Sequence, residues 1–371
     1  MKEVSINSLR VIISGGGTGG HIYPALAIAR ALQQLDSNIE ILFVGAEHRM
    51  EMQKIPEAGY KIIGLPITGI QRRLTWKNLL FPFKLWSSIK KAKNILKDFE
   101  PHVVVGVGGF ASGPLLYAAT QRGIPALIQE QNGYAGLANK WLAGKVQIIC
   151  VAYEHMERYF PDEKIILVGN PVREDIKNVS NNRIEALNFY QLDENRPVIL
   201  VIGGSLGART INQSLLQKLE LFAEKGVQLI WQTGKFYFQD IKRQLTGTDQ
   251  SDIRLCEFIE EMSLAYAAAD VVISRAGALS IAELCLVQKP AILVPSPNVA
   301  EDHQTKNAMA LVSADAALLV RDEQAVDQLV SKAISLVRDT EKKLELTRNI
   351  GKMAKPNAAE DIATEILKLA S

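Results

Sequence analysis

The first residues that could do chemistry lie in a glycine-rich segment near the amino terminus. Residues 15–21 read GGGTGGH and follow a short apolar run. Glycine lets backbone N–H groups approach a ligand closely, and a helix that begins at such a loop adds the positive end of its dipole. The segment therefore predicts a binding site for a phosphate or a diphosphate.

The last residue of this segment, His21, falls in the first turn of the helix that follows. The helix dipole disfavours the imidazolium ion there, so the ring is expected to be neutral. A neutral imidazole can accept a proton from a substrate hydroxyl group. Our hypothesis is that His21 is a general base or a residue that positions the substrate.

The spacing of Gly15, Gly17 and Gly20 also satisfies the GxGxxG pattern of dinucleotide-binding folds. Such a fold needs an acidic residue at the end of its second strand, but Glu40 stands at the start of that strand here. This disfavours a nicotinamide-dependent oxidoreductase, which remains an alternative. The absence of GK[ST] after the glycines excludes an ATPase P-loop.

Two segments in the second half of the chain carry similar chemistry. Residues 203–209 (GGSLGAR) offer backbone amides and one hydroxyl group. Residues 274–283 (SRAGALSIAE) follow an apolar run, and a helix that begins at Ala278 would present N–H groups to a diphosphate. Glu283, about one turn further, is placed to accept both hydroxyl groups of a ribose.

Short β-branched runs alternate with longer helical segments along the chain, which predicts an α/β fold with parallel sheets. The runs are apolar without alternation, as expected of strands buried on both faces. Strands are predicted at Arg10–Ser14, Ile39–Val44, Val103–Val107, Ala126–Gln129, Ile148–Val151, Val198–Ile202, Gln228–Gln232, Val271–Ser274 and Ala291–Val294. Helices are predicted at Pro24–Leu35, Leu137–Leu142, Ala278–Leu286 and Asn357–Ala370.

The strand–glycine loop–helix pattern occurs twice, at residues 11–21 and 198–209, about half the chain apart. Two Rossmann-like domains are the simplest explanation. The polar segment 170–197 contains the predicted boundary. We predict domains at residues 1–170 and 171–354, with a C-terminal helix in 355–371 that packs back on the first domain.

Composition narrows the function classes. Hydrophobic residues make up 47% of the chain and the formal net charge is only +2, so a globular protein without a nucleic-acid partner is expected. The three cysteines, Cys150, Cys256 and Cys285, are far apart and lack CxxC spacing. No metal site or disulfide framework is predicted, and a reducing cytosol is the expected compartment.

Six motifs in order resemble the MurG family of glycosyltransferases from about Arg10 to about Ala310. They are GGGTGGHIYPALAIA, GGFASGP, EQNGYAGLANK, GNPVR, GGSLGAR and SRAGALSIAE…DHQTKNA. The resemblance implies a GT-B fold, in which the parallel sheets of two Rossmann-like domains face a central cleft. It also implies inverting transfer of N-acetylglucosamine from UDP-N-acetylglucosamine to lipid I, the undecaprenyl-diphosphate-linked muramyl-peptide, without a metal or cofactor.

The resemblance assigns donor-binding roles residue by residue, with Ile259 meeting the uracil through its backbone and Glu283 the ribose. The N-terminal domain would bind the acceptor and the membrane, and the C-terminal domain the UDP-sugar. His303 departs from the family, where an arginine is frequent, so the resemblance does not assign the contacts of this residue. The implied contacts with UDP-N-acetylglucosamine are Thr18, Gly19, Gly20, Asn132, Arg173, Ser205, Ile259, Ala278, Leu279, Ser280, Ile281, Ala282, Glu283 and Gln304.

A lipid-linked acceptor implies a peripheral enzyme on the cytoplasmic face of the bacterial cell membrane. Residues 72–97 contain eight Lys or Arg residues and no acid before Asp98, interleaved with Leu, Phe and Trp. Basic residues mixed with Trp and Phe are typical of segments that bind an anionic bilayer surface. We predict membrane contact through Arg72–Lys97; an ordinary surface helix is the alternative.

Three further alternatives remain open from the sequence. One is a related GT-B enzyme, either a glycolipid synthase with another acceptor or a UDP-N-acetylglucosamine epimerase. The second is the oxidoreductase considered above. The third is a non-catalytic membrane scaffold that binds a nucleotide sugar, which the presence of His21 and of all the glycine loops disfavours.

Overall fold

The computed structural model describes residues 8–69, 81–177, 179, 183–204, 206–247, 250–299 and 302–370. Contacts divide the chain into two units. Unit 1 comprises Met1–Arg173 and Asn357–Ser371, and unit 2 comprises Glu174–Pro356. Each unit is built around one parallel sheet, so each has its own core.

Unit 1 contains a seven-stranded parallel sheet in the order β3-β2-β1-β4-β5-β6-β7. Its strands are β1 Arg10–Gly15, β2 Glu40–Ala46, β3 Lys61–Leu65, β4 Val103–Gly108, β5 Ala126–Glu130, β6 Ile148–Val151 and β7 Ile165–Leu167. Its helices in the described residues are α1 Gly19–Leu35, α2 Glu51–Glu57, α3 Phe81–Phe99, α4 Ser112–Thr120, α5 Leu137–Leu142 and, at the C-terminus, α16 Ala358–Ala370. Short 3₁₀ turns lie at Met156–Arg158 and Asp162–Lys164.

Unit 2 contains a six-stranded parallel sheet in the order β10-β9-β8-β11-β12-β13. Its strands are β8 Val198–Ile202, β9 Gln228–Gln232, β10 Ile253–Cys256, β11 Val271–Ser274, β12 Ala291–Leu293 and β13 Leu318–Leu319. Its helices in the described residues are α6 Glu174–Lys177, α7 Arg183–Phe189, α8 Arg209–Gln217, α9 Leu219–Glu224, α10 Phe238–Gln244, α11 Met262–Ala268, α12 Ala278–Val287, α13 His303–Val312, α14 Ala325–Arg338 and α15 Thr340–Lys352. A 3₁₀ turn at Asp322–Gln324 precedes α14.

The central strands are apolar on both sides because both faces of each sheet are covered. In β1, Ile12 packs into the core on one face, whereas Val11 and Ile13 pack into the core on the other. In unit 2, the side chain of Trp231 is fully buried, and its N–H donates to Asn212 Oδ1 at 3.0 Å. That bond satisfies the one polar group that the indole takes out of water.

The nine predicted strands are all present; four have the predicted bounds, and the ends of the other five differ by at most two residues. Four further strands, β3, β7, β10 and β13, were not predicted. All four are the edge strands of their sheets, where one side lacks a neighbour and burial is incomplete. A search for continuous apolar runs detects strands that are buried on both faces and therefore misses edge strands.

The predicted start of the first helix, at Pro24, is wrong, because α1 begins at Gly19. Thr18 is its extended N-cap, and the N–H groups of His21 and Ile22 both donate to the Thr18 carbonyl. Glycine is a poor helix former, so propensity alone disfavours this turn. Packing of Ile22 and Ala25 into the core overrides that preference.

The C-terminal helix α16 packs on α1 in unit 1 although it follows unit 2 in the chain. Ile362, Ala363 and Ile366 are fully buried and share one core with Ile28 and Leu32 of α1. None of the helices in the described residues combines the length and the apolar character that crossing a membrane requires.

We expect Ile362→Ala to destabilise unit 1 by about 2–4 kcal/mol, because it removes buried methyl groups and leaves a cavity against α1. Hydrogen–deuterium exchange should accelerate in peptides of β1 and α1 and stay unchanged in β8 and β9. Leu344→Ala, at a position that is 59% exposed, is the control and should cost less than about 0.5 kcal/mol. Equal acceleration in both units would contradict the assignment of α16 to unit 1.

Candidate functional site

The candidate site of unit 1 lies where the strand order of its sheet reverses. β1 pairs with β2 on one side and with β4 on the other, so the loops after β1 and β4 diverge from the same edge of the sheet. Open α/β sheets bind ligands in the crevice at this position. β1 ends at Gly15, and the loop after it runs to the start of α1 at Gly19. β4 ends at Gly108, and Gly109 begins the loop that follows it.

Glycine is required in both loops because their backbones almost touch. Gly17, Gly108 and Gly109 have φ values of +84°, +101° and +90°, a region that side chains disfavour. A Cβ atom on Gly109 would lie 2.4 Å from the carbonyl oxygen of Gly16. The two loops therefore form one packed surface at the carboxyl edge of the sheet.

His21 is held by this surface in a defined orientation. Its Nδ1 atom lies 2.9 Å from the Gly16 carbonyl oxygen. A carbonyl only accepts hydrogen bonds, so Nδ1 carries the proton of the neutral ring and Nε2 keeps its lone pair. The Nε2 edge faces Gly108, where a Cβ atom would lie 2.8 Å from it.

The surroundings keep His21 in its neutral form. Burial lowers the pKa of His21 below its ordinary value, and the Gly16 hydrogen bond and the carboxylates of Glu130 and Glu51 partly offset this by raising it. The expectation of a neutral imidazole therefore agrees with the environment. Burial is the main cause of the lowered pKa, whereas the prediction from the sequence attributes the neutral form to the helix dipole.

Glu130 is a buried carboxylate beside this site that sequence reasoning did not single out. It ends β5, is 3% exposed, and its Oε2 accepts from the N–H of Gly136 at 2.9 Å and from Asn139 at 2.8 Å. Its Oε1 accepts from the N–H of Asn132 at 3.2 Å. The predicted contact Asn132 is thus oriented by Glu130. The available signal was an acidic residue at the end of a strand whose first three residues are apolar.

The other predicted residues of unit 1 gather at the start of α1. Thr18, Gly19 and Gly20 form the turn into the helix. The guanidinium carbon of Arg173 lies 5.5 Å from the ring centre of Tyr23, a cation–π distance. Arg173 is therefore near the first turns of α1.

The candidate site of unit 2 also lies at a reversal of strand order, between β8 and β11. The loop after β8 packs on the loop after β9 so closely that a Cβ atom on Gly207 would lie 2.2 Å from the Thr233 carbonyl oxygen. A cavity of about 640 Å³ opens between the loops at this edge. Its lining includes Gly203, Gly204, Gly207, Arg209, Tyr237, Arg275, Gly277, Ser280, Ser296, Gln304 and Asp322.

The start of α12 forms one wall of this cavity. Gly277 is the extended N-cap residue and has no side chain to cover the helix end, and no acidic residue occurs in the first turn. Gly277 and Ser280 line the cavity, as does Arg209 at the start of α8. Two helices therefore begin at one cavity, an arrangement that favours an anionic ligand.

Two residues of unit 2 that are predicted to contact UDP-N-acetylglucosamine, Glu283 and Gln304, are held by hydrogen bonds from neighbouring groups. Glu283 Oε2 accepts from the hydroxyl of the fully buried Tyr266 at 3.0 Å. Gln304 lines the cavity, and its Oε1 accepts from the N–H of Ser296 at 2.9 Å.

The predicted contacts are not equally accessible. The N–H of Ile259 already donates to Gln232 Oε1 at 3.0 Å. Within α12, the Ile281 side chain is only 4% exposed, so this residue packs inward. Ser205 lies outside the described residues, as do residues 72–80 of the predicted membrane segment.

An ion pair that was not predicted supports the cavity wall. The Arg275 guanidinium donates to Asp322 Oδ1 and to the carbonyl oxygens of Val294 and Pro295 at 3.0 and 3.1 Å. Asp322 Oδ2 also accepts from Thr210 at 2.8 Å. These bonds join the segments after β11, β12 and β13 to α8. Sequence spacing could not reveal this pair because 47 residues separate its members.

Within the described residues, no group of three or more His, Cys, Asp or Glu side chains is arranged to hold a metal ion. The cysteines are buried or half-buried, and burial raises the pKa of Cys285 to about 12. A thiol with so high a pKa stays protonated and is a poor nucleophile. Cys285 is therefore not a candidate nucleophile.

Comparison with known families covers both units. Residues 11–151 match the glycosyltransferase family 28 N-terminal domain, and residues 198–364 match the glycosyltransferase family 28 C-terminal domain. A Bacteroides fragilis protein named UDP-N-acetylglucosamine--N-acetylmuramyl-(pentapeptide) pyrophosphoryl-undecaprenol N-acetylglucosamine transferase is 53% identical over 371 residues. The alignment covers 100% of this chain and 98% of that protein.

Solved structures agree with this family and confirm the predicted α/β, GT-B fold. The crystal structure of Acinetobacter baumannii MurG aligns with a TM-score of 0.76 and 27% identity, over 97% of this chain and 99% of that one. A Neisseria meningitidis UDP-GlcNAc 2-epimerase aligns with a TM-score of 0.66 at only 17% identity, over 97% of this chain and 100% of that one. The second likeness extends to the fold alone. The chain therefore belongs to glycosyltransferase family 28, within which it is a member of the MurG family of N-acetylglucosaminyltransferases.

Proposed function

We propose that this chain transfers N-acetylglucosamine from UDP-N-acetylglucosamine to the muramyl 4-hydroxyl group of lipid I, and so forms lipid II. A relative with that named activity matches it over the full length. The structural observation that carries the proposal is the cavity of unit 2, at which α8 and α12 both begin. Such a cavity suits the diphosphate of a nucleotide sugar.

The donor diphosphate would bind across the starts of α8 and α12. Negative charge grows on the diphosphate as the bond to the sugar breaks, and helix-end N–H groups together with Arg209 would stabilise that charge. Arg275 lines the same cavity but is paired with Asp322, so its main role is to hold the wall. The helix-end N–H groups and Arg209 would thus stabilise the leaving UDP.

The nucleoside would be held by Glu283 and Ile259. The Glu283 carboxylate accepts hydrogen bonds from the ribose hydroxyl groups, while Tyr266 holds its Oε2 in place. Because Gln232 already occupies the Ile259 N–H, the Ile259 carbonyl is the group that would accept from the uracil N–H. Gln304 would contact the sugar from the start of α13.

The acceptor would be activated in unit 1. His21 presents the unprotonated Nε2 at the carboxyl edge of the sheet, since Nδ1–H is bound to Gly16. As the 4-hydroxyl oxygen attacks the anomeric carbon, its proton passes to Nε2 and the bond to UDP breaks with its electron pair. Attack opposite the leaving group inverts the anomeric centre.

The lipid of the acceptor would place unit 1 on the cytoplasmic face of the membrane. On α3, Phe83 and Trp86 are 73% and 67% exposed, and the Lys90 ammonium lies 5.6 Å from the Trp86 ring centre. On α5, Leu137 and Trp141 are 84% and 56% exposed. Exposed aromatic residues among lysines suit an anionic bilayer interface.

The function is tested by incubating the purified protein with labelled UDP-N-acetylglucosamine and lipid I in detergent. Label should appear in lipid II, with release of UDP. Transfer to another lipid, with none to lipid I, would identify a glycolipid synthase instead. Formation of a 2-epimer without any transfer would identify an epimerase.

We expect His21→Gln to lower kcat about 100-fold or more, because a general base contributes at least this much. In the unmodified enzyme, activity should fall as the pH drops through the pKa of His21. Burial lowers that pKa, so the fall should occur below the ordinary histidine range. His155→Asn, at an exposed histidine with φ +60°, is the control and should keep the wild-type profile. A wild-type rate in His21→Gln would remove His21 from the mechanism.

We expect Glu283→Gln to raise the KM for UDP-N-acetylglucosamine about 10-fold or more, since a hydrogen bond to a charged group is worth about 1.5–3 kcal/mol. Initial rates at varied donor concentration measure this change. Tyr266→Phe removes only the hydroxyl that orients Glu283 and should raise the KM less. An unchanged KM in Glu283→Gln would exclude the carboxylate from ribose binding.

We expect the triple charge reversal Lys84→Glu, Lys90→Glu and Lys91→Glu to weaken binding to anionic vesicles on the order of 100-fold, at about 1 kcal/mol per lysine. Co-sedimentation with phosphatidylglycerol vesicles measures the partition coefficient, and added salt should weaken wild-type binding. The control reverses the exposed Lys225, Lys242 and Lys352 of unit 2. Partitioning equal to wild type in the first variant would contradict this surface.

A further inference from the structure

Glu51 is a buried carboxylate that the proposed mechanism does not yet use. It is the first residue of α2 and only 1% exposed. Its Oε1 accepts from the Ala46 N–H at 3.0 Å, and its Oε2 accepts from the Gly17 N–H at 2.8 Å. Burying an ionised carboxylate costs free energy unless hydrogen bonds compensate for it, so we expect this placement to have a functional reason.

The bond to Gly17 connects Glu51 to His21 through a single peptide group. The N–H of Gly17 and the C=O of Gly16 belong to the same planar unit, and in a trans peptide they point in opposite directions. The Gly16 oxygen is the group that meets His21 Nδ1 at 2.9 Å. The carboxylate and the imidazole therefore hold the two ends of one peptide dipole.

The glycine loop leaves the space that this arrangement needs. A Cβ atom on Gly16 would lie 2.2 Å from Glu51 Oε1, and one on Gly45 would lie 2.6 Å from Glu51 Cγ. On the other side, glycine at position 109 lets the loop after β4 reach the Gly16 carbonyl. Glycines thus surround both ends of the Glu51–peptide–His21 chain.

We infer that Glu51 is a positioning residue for His21, acting through the Gly16–Gly17 peptide to hold the imidazole as its Nδ1–H tautomer with Nε2 available to the acceptor. The inference rests on the proposed role of His21 as the base. In hydrolase triads a carboxylate fixes the tautomer of the catalytic histidine by direct contact. Here the peptide group is inserted between the two.

The negative charge of Glu51 supports the same role as its hydrogen bonds. Two carboxylates, Glu130 at the end of β5 and Glu51 on α2, raise the pKa of His21 electrostatically against the larger effect of burial. The end of β4 passes close to the ring at Gly108, where a Cβ atom would lie 2.6 Å from His21 Cδ2. Loss of the Glu51 charge would therefore lower the pKa of His21 further.

The test compares Glu51→Gln and Glu51→Asp in the lipid II assay. Glutamine can accept one N–H, but its NH₂ group opposes the other, so one bond and the charge are lost. We expect kcat to fall about 10–100-fold, as when the outer partner of a functional histidine is removed, with the KM for the donor little changed. The acidic limb of the pH profile should move to lower pH. Glu51→Asp keeps the charge and should lose less activity.

The control is Glu57→Gln, at an exposed position of the same helix, which should behave as wild type. In a His21→Ala background, Glu51→Gln should cost little more, because its effect passes through His21. Full activity and an unmoved acidic limb in Glu51→Gln, or an equal loss in both backgrounds, would overturn the inference. A wild-type protein that makes no lipid II would instead overturn the proposed function.

The tautomer can be measured without turnover, which covers the case that Glu51→Gln fails to fold. The chain has five histidines, so long-range ¹H–¹⁵N spectra of ¹⁵N-histidine-labelled protein are tractable, with His21→Gln assigning the signal. The Nδ1–H form is expected for His21 in the wild type. The Nε2–H form would overturn the inference.

Discussion

The close approach of the loop after β1 to the loop after β4 is the constraint on which the unit 1 site depends. A parallel sheet whose strand order reverses separates these two loops at its edge, and glycine then lets them meet again. The meeting point is the Gly16–Gly17 peptide, which contacts Gly109 and His21 and is bonded to Glu51. A larger residue at Gly16 or Gly109 would collide with the groups that orient the imidazole, and one at Gly17 would strain a backbone with positive φ.

Unit 2 uses the same topology for different chemistry. Its strand order also reverses beside the first strand, and glycines again let neighbouring loops pack tightly. There the edge bears two helix starts, a cavity and an Arg275–Asp322 pair rather than a histidine. One architecture thus places a buried histidine at the sheet edge of one unit and two helix starts at the sheet edge of the other, which are the features to which we assign the proton acceptor and the diphosphate site in the proposed function.

Burial governs the reactivity of both units. It lowers the pKa of His21, which favours the neutral imidazole near neutral pH, and it raises the pKa of the cysteine thiols, which favours the unreactive protonated form. The buried carboxylates of Glu51 and Glu130 accept hydrogen bonds from backbone N–H groups, and the half-buried Glu283 accepts one from a hydroxyl group. The polar groups that could take part in chemistry are therefore those that the loops at the sheet edges hold in place.

The sequence by itself determined the central strands, the α/β class, the doubled glycine loops and the family, because these depend on local patterns of apolar residues and glycines. It missed the edge strands, whose burial is one-sided, and the true start of α1, where core packing overrides helix propensity. It also did not single out Glu51, Glu130 or the Arg275–Asp322 pair as parts of the sites. Only the tertiary structure brings Glu51 to Gly17, 34 residues away, since a hydrogen bond between distant segments depends on how the strands pair and leaves no periodic signal in the chain.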